Sequence, residues 1–438
     1  MKKKFFLLLS FAIFFLINYS IAGAGNMEYK TLCLKNGAKI KYLYRDSIPI
    51  VYVSVLIPAS PLDEPKSSIA YLTARLLSHG TKTRNAREIE DEIDFLAISI
   101  EEKVTHDYTM LTLSTTKRHL KESIDLFFDI ITNPVFPEDE MEKEISILEK
   151  SLKQMEEDPS FIAQKKFLNN LFGKHPYGRP VEGEPENLKE ISRNDIVSFY
   201  KSFYKPDKMI FSVVGDIDEK ELKDLIETSI YKLQGIQKER KISAPLFAIR
   251  NEPVKLSVKK DDLTQSTIVF GFEGISRKDP DFYSLSLMNY ILGGGGLTSR
   301  LARHIREEKG LAYSIYSTFS PNLFPGDFYI EVKTKAENTQ QVLEMIIEEL
   351  KKMKENGVTD EELKEAKQFL IGSFPMRFDT MKKISEFLPL IDYYELGDNY
   401  ITKYPEYIEK VTKEDIKRVA QKYLNTDSYI LVVVSPAH

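Results

Sequence analysis

The chain of 438 residues contains one cysteine, Cys33. No intrachain disulfide and no thiolate metal cluster can therefore form. In the strand-like stretch Lys30 to Lys35 it reads as a small buried apolar residue. Histidine is scarce as well. His79, His106, His119, His175, His304 and His438 are the whole set, and no two lie within five residues. A helical pair of histidines for a metal is thereby excluded. Neither sign of charge dominates: 61 Lys and Arg face 66 Asp and Glu, well mixed, for a net charge of -5. Nothing in that balance suggests a nucleic-acid surface. No stretch beyond residue 25 is long and apolar enough to span a membrane. The four glycines Gly293, Gly294, Gly295 and Gly296 run into Leu297-Thr298-Ser299 without the Gly-Lys-Ser/Thr of a phosphate loop. No G-x-S-x-G and no Cys/His pairing is present, so an independent hydrolase built on another nucleophile finds no support.

What is there is ordinary globular composition, 42% hydrophobic and 29% charged, with a leader in front. Lys2, Lys3 and Lys4 precede the apolar run Phe5–Ile17, then Asn18 and the small tract Ala22-Gly23-Ala24-Gly25. This is the grammar of a secretory signal peptide over 1–25. Cleaved, it leaves a secreted chain beginning near Gly25 or Asn26, expected in a bacterial periplasm. Retained, it would serve as an anchor. No lipid-attached form is expected, because no cysteine follows the apolar run.

The mature chain is internally repeated. "ISRNDIVSFYKSFYKPDKMIFSVVG" (Ile191–Gly215) aligns without a gap on "VTKEDIKRVAQKYLNTDSYILVVVS" (Val411–Ser435), at an offset of 220. Each reads as a helix opened by Ser192 or Thr412 with an acid three residues on, then a turn and an apolar strand. A weaker echo sets "FPEDEMEKEISILEKSL" over "VTDEELKEAKQFLIGSF" at an offset of 222. The expected organisation is a duplicated domain, 26–235 and 246–438, around a polar linker at 236–245. Within the first copy, Asn36-Gly37 reads as a hairpin turn. Helices are expected near Ser67–Ser78, Lys117–Thr132 and Pro137–Glu156, with strands between them. The fold class is α+β: two homologous α/β sandwiches, each an antiparallel-rich sheet covered by helices, in a clamshell arrangement.

The order of blocks resembles the pitrilysin/insulinase family of zinc peptidases, to which mitochondrial processing peptidase belongs. "NGAKIKYLYRDSIPIVYVSVLIPASPLDEP", "SHGTKTR" and "HPYGRPVEGEPENLKEISRNDIVSFYKSFYKPDKMIFSVVGD" are similar to its N-terminal half, and "LGGGGLTSRLARHIREEKGLAYSIYS" to its C-terminal half. The resemblance implies H-x-x-E-H on the first long helix, its histidines binding zinc and its glutamate acting as general base. Here Tyr71 stands at the first histidine, Ala74 at the glutamate and Arg75 at the second histidine. All three are wrong for that chemistry. The family's further ligand falls on Glu149, two helical turns after Glu142. The substitution leads to the expectation that Arg75 pairs with Glu149 where zinc would have bridged. No metal is expected on this chain.

The other half of the site is kept. A helix over Thr298–Lys309 would bury Leu301 and Ile305 and end at Gly310 in the left-handed conformation, before a strand from Leu311. Arg306 and Tyr313 would then converge at one corner. Arginine in a last helical turn and tyrosine in a strand are also common for purely structural reasons. In the family the pair faces zinc across the cavity, the tyrosine donating to the developing oxyanion and the arginine holding carbonyl oxygens. The glycines before them read as a loop permitting close approach of substrate or domain closure. The resemblance implies the subunit of a heterodimeric metallopeptidase that lacks the metal motif but keeps the Arg/Tyr pair. Its expected partners are a zinc-bearing H-x-x-E-H chain and an unfolded peptide or small protein. The competing expectation is a catalytically silent peptide-binding or scaffold protein of the same fold.

Overall fold

In the computed structural model, the described residues are 27–35, 38–230, 240–248 and 251–436. The leader, the hairpin turn at Asn36-Gly37 and the linker before residue 240 lie outside them. Sequence alternation dictates the first strands: β1 (Lys30–Cys33), β2 (Lys39–Tyr44) and β3 (Ile50–Ile57) turn their apolar positions inward. The helices α1 (Ile69–Leu76) and α2 (Ala86–Leu96) follow, then β4 (Ser99–Val104) and β5 (Thr109–Thr116). Next come α3 (Leu120–Thr132), α4 (Glu138–Met155), α5 (Pro159–Phe172), α6 (Arg193–Phe203), β6 (Ile210–Gly215) and α7 (Glu219–Ile230). Proline fits the first turn of α5, whose N-cap is Asp158 accepting from the Ser160 amide.

The second half runs β7 (Val254–Lys260), β8 (Ser266–Glu273), α8 (Phe282–Asn289), β9 (Ala312–Phe319), β10 (Asp327–Thr334), α9 (Thr339–Asn356) and α10 (Asp360–Ser373). It closes with α11 (Met381–Tyr393), α12 (Tyr400–Glu409), α13 (Lys413–Tyr423) and β11 (Ile430–Pro436). The repeat is visible in the strand order: β2-β6-β3-β5-β4 in the first sheet becomes β7-β11-β8-β10-β9 in the second. Only β2/β6 and β7/β11 are parallel; the other neighbours are antiparallel, so both sheets are antiparallel-rich as expected. The helices α6 and α13 carry the two full capping boxes read from Ser192/Asp195 and Thr412/Asp415.

One face of each sheet is covered by its own half's helices, with Leu72, Phe127, Leu148 and Phe199 in one core and Leu287, Ile346 and Val419 in the other. The opposite faces are covered by exchange. The first half's α5 packs on β8 and β11, where Ala163, Phe167 and Leu171 meet Val269, Ile430 and Val432. The second half's α11 packs on β3 and β6, with its Ser385 hydroxyl 2.9 Å from that of Ser54. The two helices start at Pro159 and Met381, at the offset of 222 carried by the repeat. Polar contacts reinforce the exchange. Buried Lys41 on β2 reaches Asp392 at 2.8 Å and Asp398 at 2.7 Å from the other half.

The described part of the linker is tied down rather than free. Arg240 makes a two-pronged bridge to Asp63, 2.7 Å at each prong, with the Asp63 side chain 1% exposed. One expectation fails outright: Cys33 is exposed. It alternates with Leu32 and Leu34, which take the buried side of an edge strand and turn the cysteine outward.

Candidate functional site

The degenerate motif lies on α1, against α4 and the edge strand β4. The start of the helix is held by Glu64, whose carboxylate accepts from the Ala70 amide at 2.8 Å and from Arg179 at 2.9 Å. Burial pushes the Glu64 carboxyl up to about 7 against those partners. Ala74, at the position of the general base, is 2% exposed and packs as a core residue. Tyr71 is half-buried, its hydroxyl making no hydrogen bond among the described residues, and burial raises its pKa.

Arg75 fills the place between two acids. Its Nε donates to Glu144 at 2.7 Å and its Nη1 to Glu102 at 2.5 Å. Burial works against its charge, and the two carboxylates outweigh that cost and raise its pKa. The expected partner, Glu149, is instead paired with Lys153 at 2.9 Å on the same helix. The reason is helical phase. Glu144 shares the buried stripe Met141, Leu148, Leu152, whereas Glu149 stands one residue, about 100°, around from Leu148. That three-and-four spacing was the signal in the sequence that pointed to Glu144. A guanidinium salt-bridged to both acids, beside a buried alanine and a tyrosine, does not fit a zinc ligand set. Among the described residues, no group of three or more His, Cys, Asp and Glu is arranged to hold a metal ion.

The segment bearing Arg306 departs from the expected α-helix. Gly296–Thr298 is a 3-10 turn, and Ala302–Glu308 is wound as a π-helix, a form that concentrates at functional sites. Leu301 and Ile305 are both 0% exposed, and Gly310 is left-handed at φ 64°, as the pattern required. The inner side is anchored. Arg300 grips Glu362 at 2.7 Å through both Nε and Nη2, and His304 Nδ1 is 3.1 Å from buried Glu349. Burial alone would raise the Glu362 carboxyl, but Arg300 and the Thr359 amide draw it down to about 2.

The two retained residues point out from that anchored corner. Arg306 is exposed, with Glu307 at 3.5 Å as its nearest counter-charge. Tyr313 is the second residue of β9, is 51% exposed, and its hydroxyl makes no hydrogen bond among the described residues. The structure places them on the two arms of one corner, and no hydrogen bond or ring contact joins them. Neither side chain is consumed by a structural role. Three residues along the same edge strand, the Tyr316 hydroxyl donates to Glu331 at 2.9 Å, and Gln164 of α5 donates to the same oxygen at 2.7 Å. The exchanged helix therefore braces the strand that carries Tyr313, a contact between distant positions that no local pattern announces.

The glycines are explained by close approach within the chain. A Cβ on Gly293 would lie 2.5 Å from the Ser317 hydroxyl and 2.6 Å from its amide nitrogen. On Gly295 it would lie 2.7 Å from the Tyr290 carbonyl oxygen, and Gly296 has φ +64°. Gly293→Ala is expected to cost about 1–3 kcal/mol through this overlap with β9. The check is a denaturant midpoint. An unchanged midpoint would mean that the loop yields freely.

The comparisons bear on lineage and fold. A family model described as "Insulinase (Peptidase family M16)" matches residues 42–184, and one described as "Peptidase M16 inactive domain" matches 190–370. The latter begins beyond Tyr71, Ala74, Arg75 and Glu149, so its wording does not bear on the zinc-motif positions. The chain is 27% identical over 414 residues to the "Uncharacterized zinc protease YmxG" of Bacillus subtilis (strain 168), covering 93% of this chain and 98% of that one. It is 25% identical over 411 residues to the "Non-peptidase homolog YmxG" of Helicobacter pylori (strain ATCC 700392 / 26695), covering 91% and 93%. The crystal structure of a peptidase M16 inactive domain from Pseudomonas fluorescens superposes with TM-score 0.86 at 24% identity, covering 94% of this chain and 99% of that one. Two family models matching consecutive stretches, with full-length relatives on both sides of the peptidase divide, settle the lineage: the chain belongs to the insulinase family of peptidases, family M16.

Proposed function

We infer that the chain is the zinc-free member of a two-chain, secreted M16 peptidase. The observation that carries the reading is the contrast between its two half-sites. At one, Arg75 is salt-bridged to Glu102 and Glu144 where a metal would be needed. At the other, Arg306 and Tyr313 stand exposed on an anchored corner. Zinc on a partner chain bearing H-x-x-E-H would supply the activated water. This chain's Tyr313 hydroxyl then donates to the oxygen of the tetrahedral carbon, and the Arg306 guanidinium orients the substrate's carbonyl oxygens. The expected substrate is an unfolded peptide or small protein, and the leader-like residues 1–25 support a periplasmic assembly.

A second reading, a silent peptide-binding or scaffold protein, is favoured by the name of the Helicobacter relative as a non-peptidase homolog. Co-expression with an H-x-x-E-H chain from the same genome separates the two. Expected are no cleavage by either chain alone, cleavage by the pair, and about one zinc per heterodimer carried by the partner. Equal cleavage by the partner without this chain overturns the subunit reading, and so does stoichiometric zinc on this chain alone.

A further inference from the structure

The glycine loop and α10 leave a gap beside the corner that carries Arg306. Phe369, on α10, is 52% exposed, and the ring packed on it among the described residues is Tyr290, stacked with centroids 4.6 Å apart. Tyr290 is half-buried and lies under the loop: a Cβ on Gly295 would come 3.2 Å from its ring. Leu297, directly after Gly296, is 55% exposed. The other side of Phe369 is bare. Nearly one helical turn on stands Gly372, where an added Cβ would meet nothing within 4 Å. The same holds at Gly296.

Nothing within the chain calls for glycine at 372. Unlike Gly296 it has no left-handed backbone, no close approach demands it, and glycine weakens a helix. Nor does it belong to the duplicated plan. At the offset of 222, Phe369 stands over Ile147, itself 57% exposed, but Gly372 stands over Lys150. The exposed apolar position is common to both copies, and the bare glycine beside it belongs to the second alone. The gap is joined to the half-site at Arg306 and Tyr313. Arg300, in the segment leading to Arg306, grips Glu362 of α10 at 2.7 Å through two nitrogens. Glu362 lies seven residues before Phe369, on the same helix face. The segment Tyr290–Gly294 in turn packs on β9, which carries Tyr313.

We propose that Phe369, Tyr290 and the space over Gly372 form a seat for one bulky apolar side chain of the peptide whose carbonyl oxygens Arg306 orients, an inference that rests on the peptide-handling reading of this chain. The size of the surface decides the occupant. Phe369 and Leu297, each about half exposed, offer on the order of 200 Å² of apolar area, against the roughly 1,000 Å² of a specific protein interface. That suits one side chain of an extended peptide, and not a folded partner or a second copy. The seat selects by burial: a leucine laid on the rings leaves water, whereas an alanine at the same place of the peptide removes far less apolar surface.

The test uses the reconstituted pair and fluorogenic peptides identical except for Leu or Ala at one position, moved stepwise along the peptide. At one position the Leu peptide should be favoured at least about tenfold in kcat/KM. Phe369→Ser removes the shelf and Gly372→Leu fills the space, and each should bring that preference below about threefold. Both substitutions fall at exposed helix positions and change packing in opposite senses, so a shared loss of preference is not misfolding. The seat is overturned if the parent pair prefers Leu nowhere, or if the preference survives either variant. It is overturned too if Phe369→Ser stops the two chains from assembling in sedimentation, because the ring is then an interface. A pair that cleaves nothing fails the subunit reading instead. The same peptides are then titrated against this chain alone by fluorescence anisotropy. A Leu preference lost in both variants supports the seat, and its absence from the parent or survival in either variant overturns it.

Discussion

Tyr313→Phe should lower kcat of the reconstituted two-chain peptidase by about 10²–10³-fold, the usual consequence of removing one oxyanion donor. KM should change little, because the hydroxyl makes its contact only as charge develops on the carbonyl oxygen. Stability gives the control. The ring is 51% exposed and the hydroxyl has no hydrogen-bond partner among the described residues, so the variant's melting midpoint should match the parent's. A loss of rate with an intact fold is what distinguishes chemistry from architecture here. Tyr316→Phe offers a contrast: it removes the donor to Glu331 that braces β9, so its effect should be on stability as well. Should Tyr313→Phe cleave within about threefold of the parent pair, the hydroxyl donates to no oxyanion. The peptide-binding reading would then gain, and the relevant readout would become affinity instead of turnover.

How much of this was legible beforehand depended on the range of the interaction. Local grammar carried far: the capping boxes at Ser192 and Thr412, the left-handed Gly310 and the buried pair Leu301 and Ile305 all follow from short-range stereochemistry. The resemblance supplied the fold. What it did not supply was phase and partner. The family's spacing points to Glu149, whereas the buried stripe on α4 puts Glu144 against Arg75. Cys33 was judged by type, whereas the alternation of an edge strand decides its side. The helix exchange went unread because α5 looks like any other amphipathic helix, and nothing in it names the sheet it covers. The glycine run was read outward, toward substrate, although Ser317 and Tyr290 of its own half already require glycine there.

The helix exchange makes the largest stability prediction, Phe167→Ala. Phe167 lies at the middle of α5 and is 0% exposed, yet its surroundings belong to the other half: Val269, Tyr329 with ring centroids 6.0 Å apart, and Gly271. Gly271 has no room for a side chain, since a Cβ there would lie 2.7 Å from the Phe167 ring and 2.4 Å from the Phe328 carbonyl oxygen. The fit leaves little scope for collapse around a truncated ring, so about 3–5 kcal/mol should be lost. The location of the loss is the sharper test. Because α5 is the second sheet's cover, amide exchange should rise at β8 and β11, more than 95 residues away in sequence, as well as in α5 itself. Phe127→Ala, which empties a cavity inside the first half's own core, should raise exchange chiefly at β5 and β6 instead. If Phe167→Ala left β8 and β11 protected as before, the two halves would be energetically independent. The exchange would then be a matter of contact without coupling. The close approach at Gly271 argues against that outcome, because the glycine and the ring leave room only for each other.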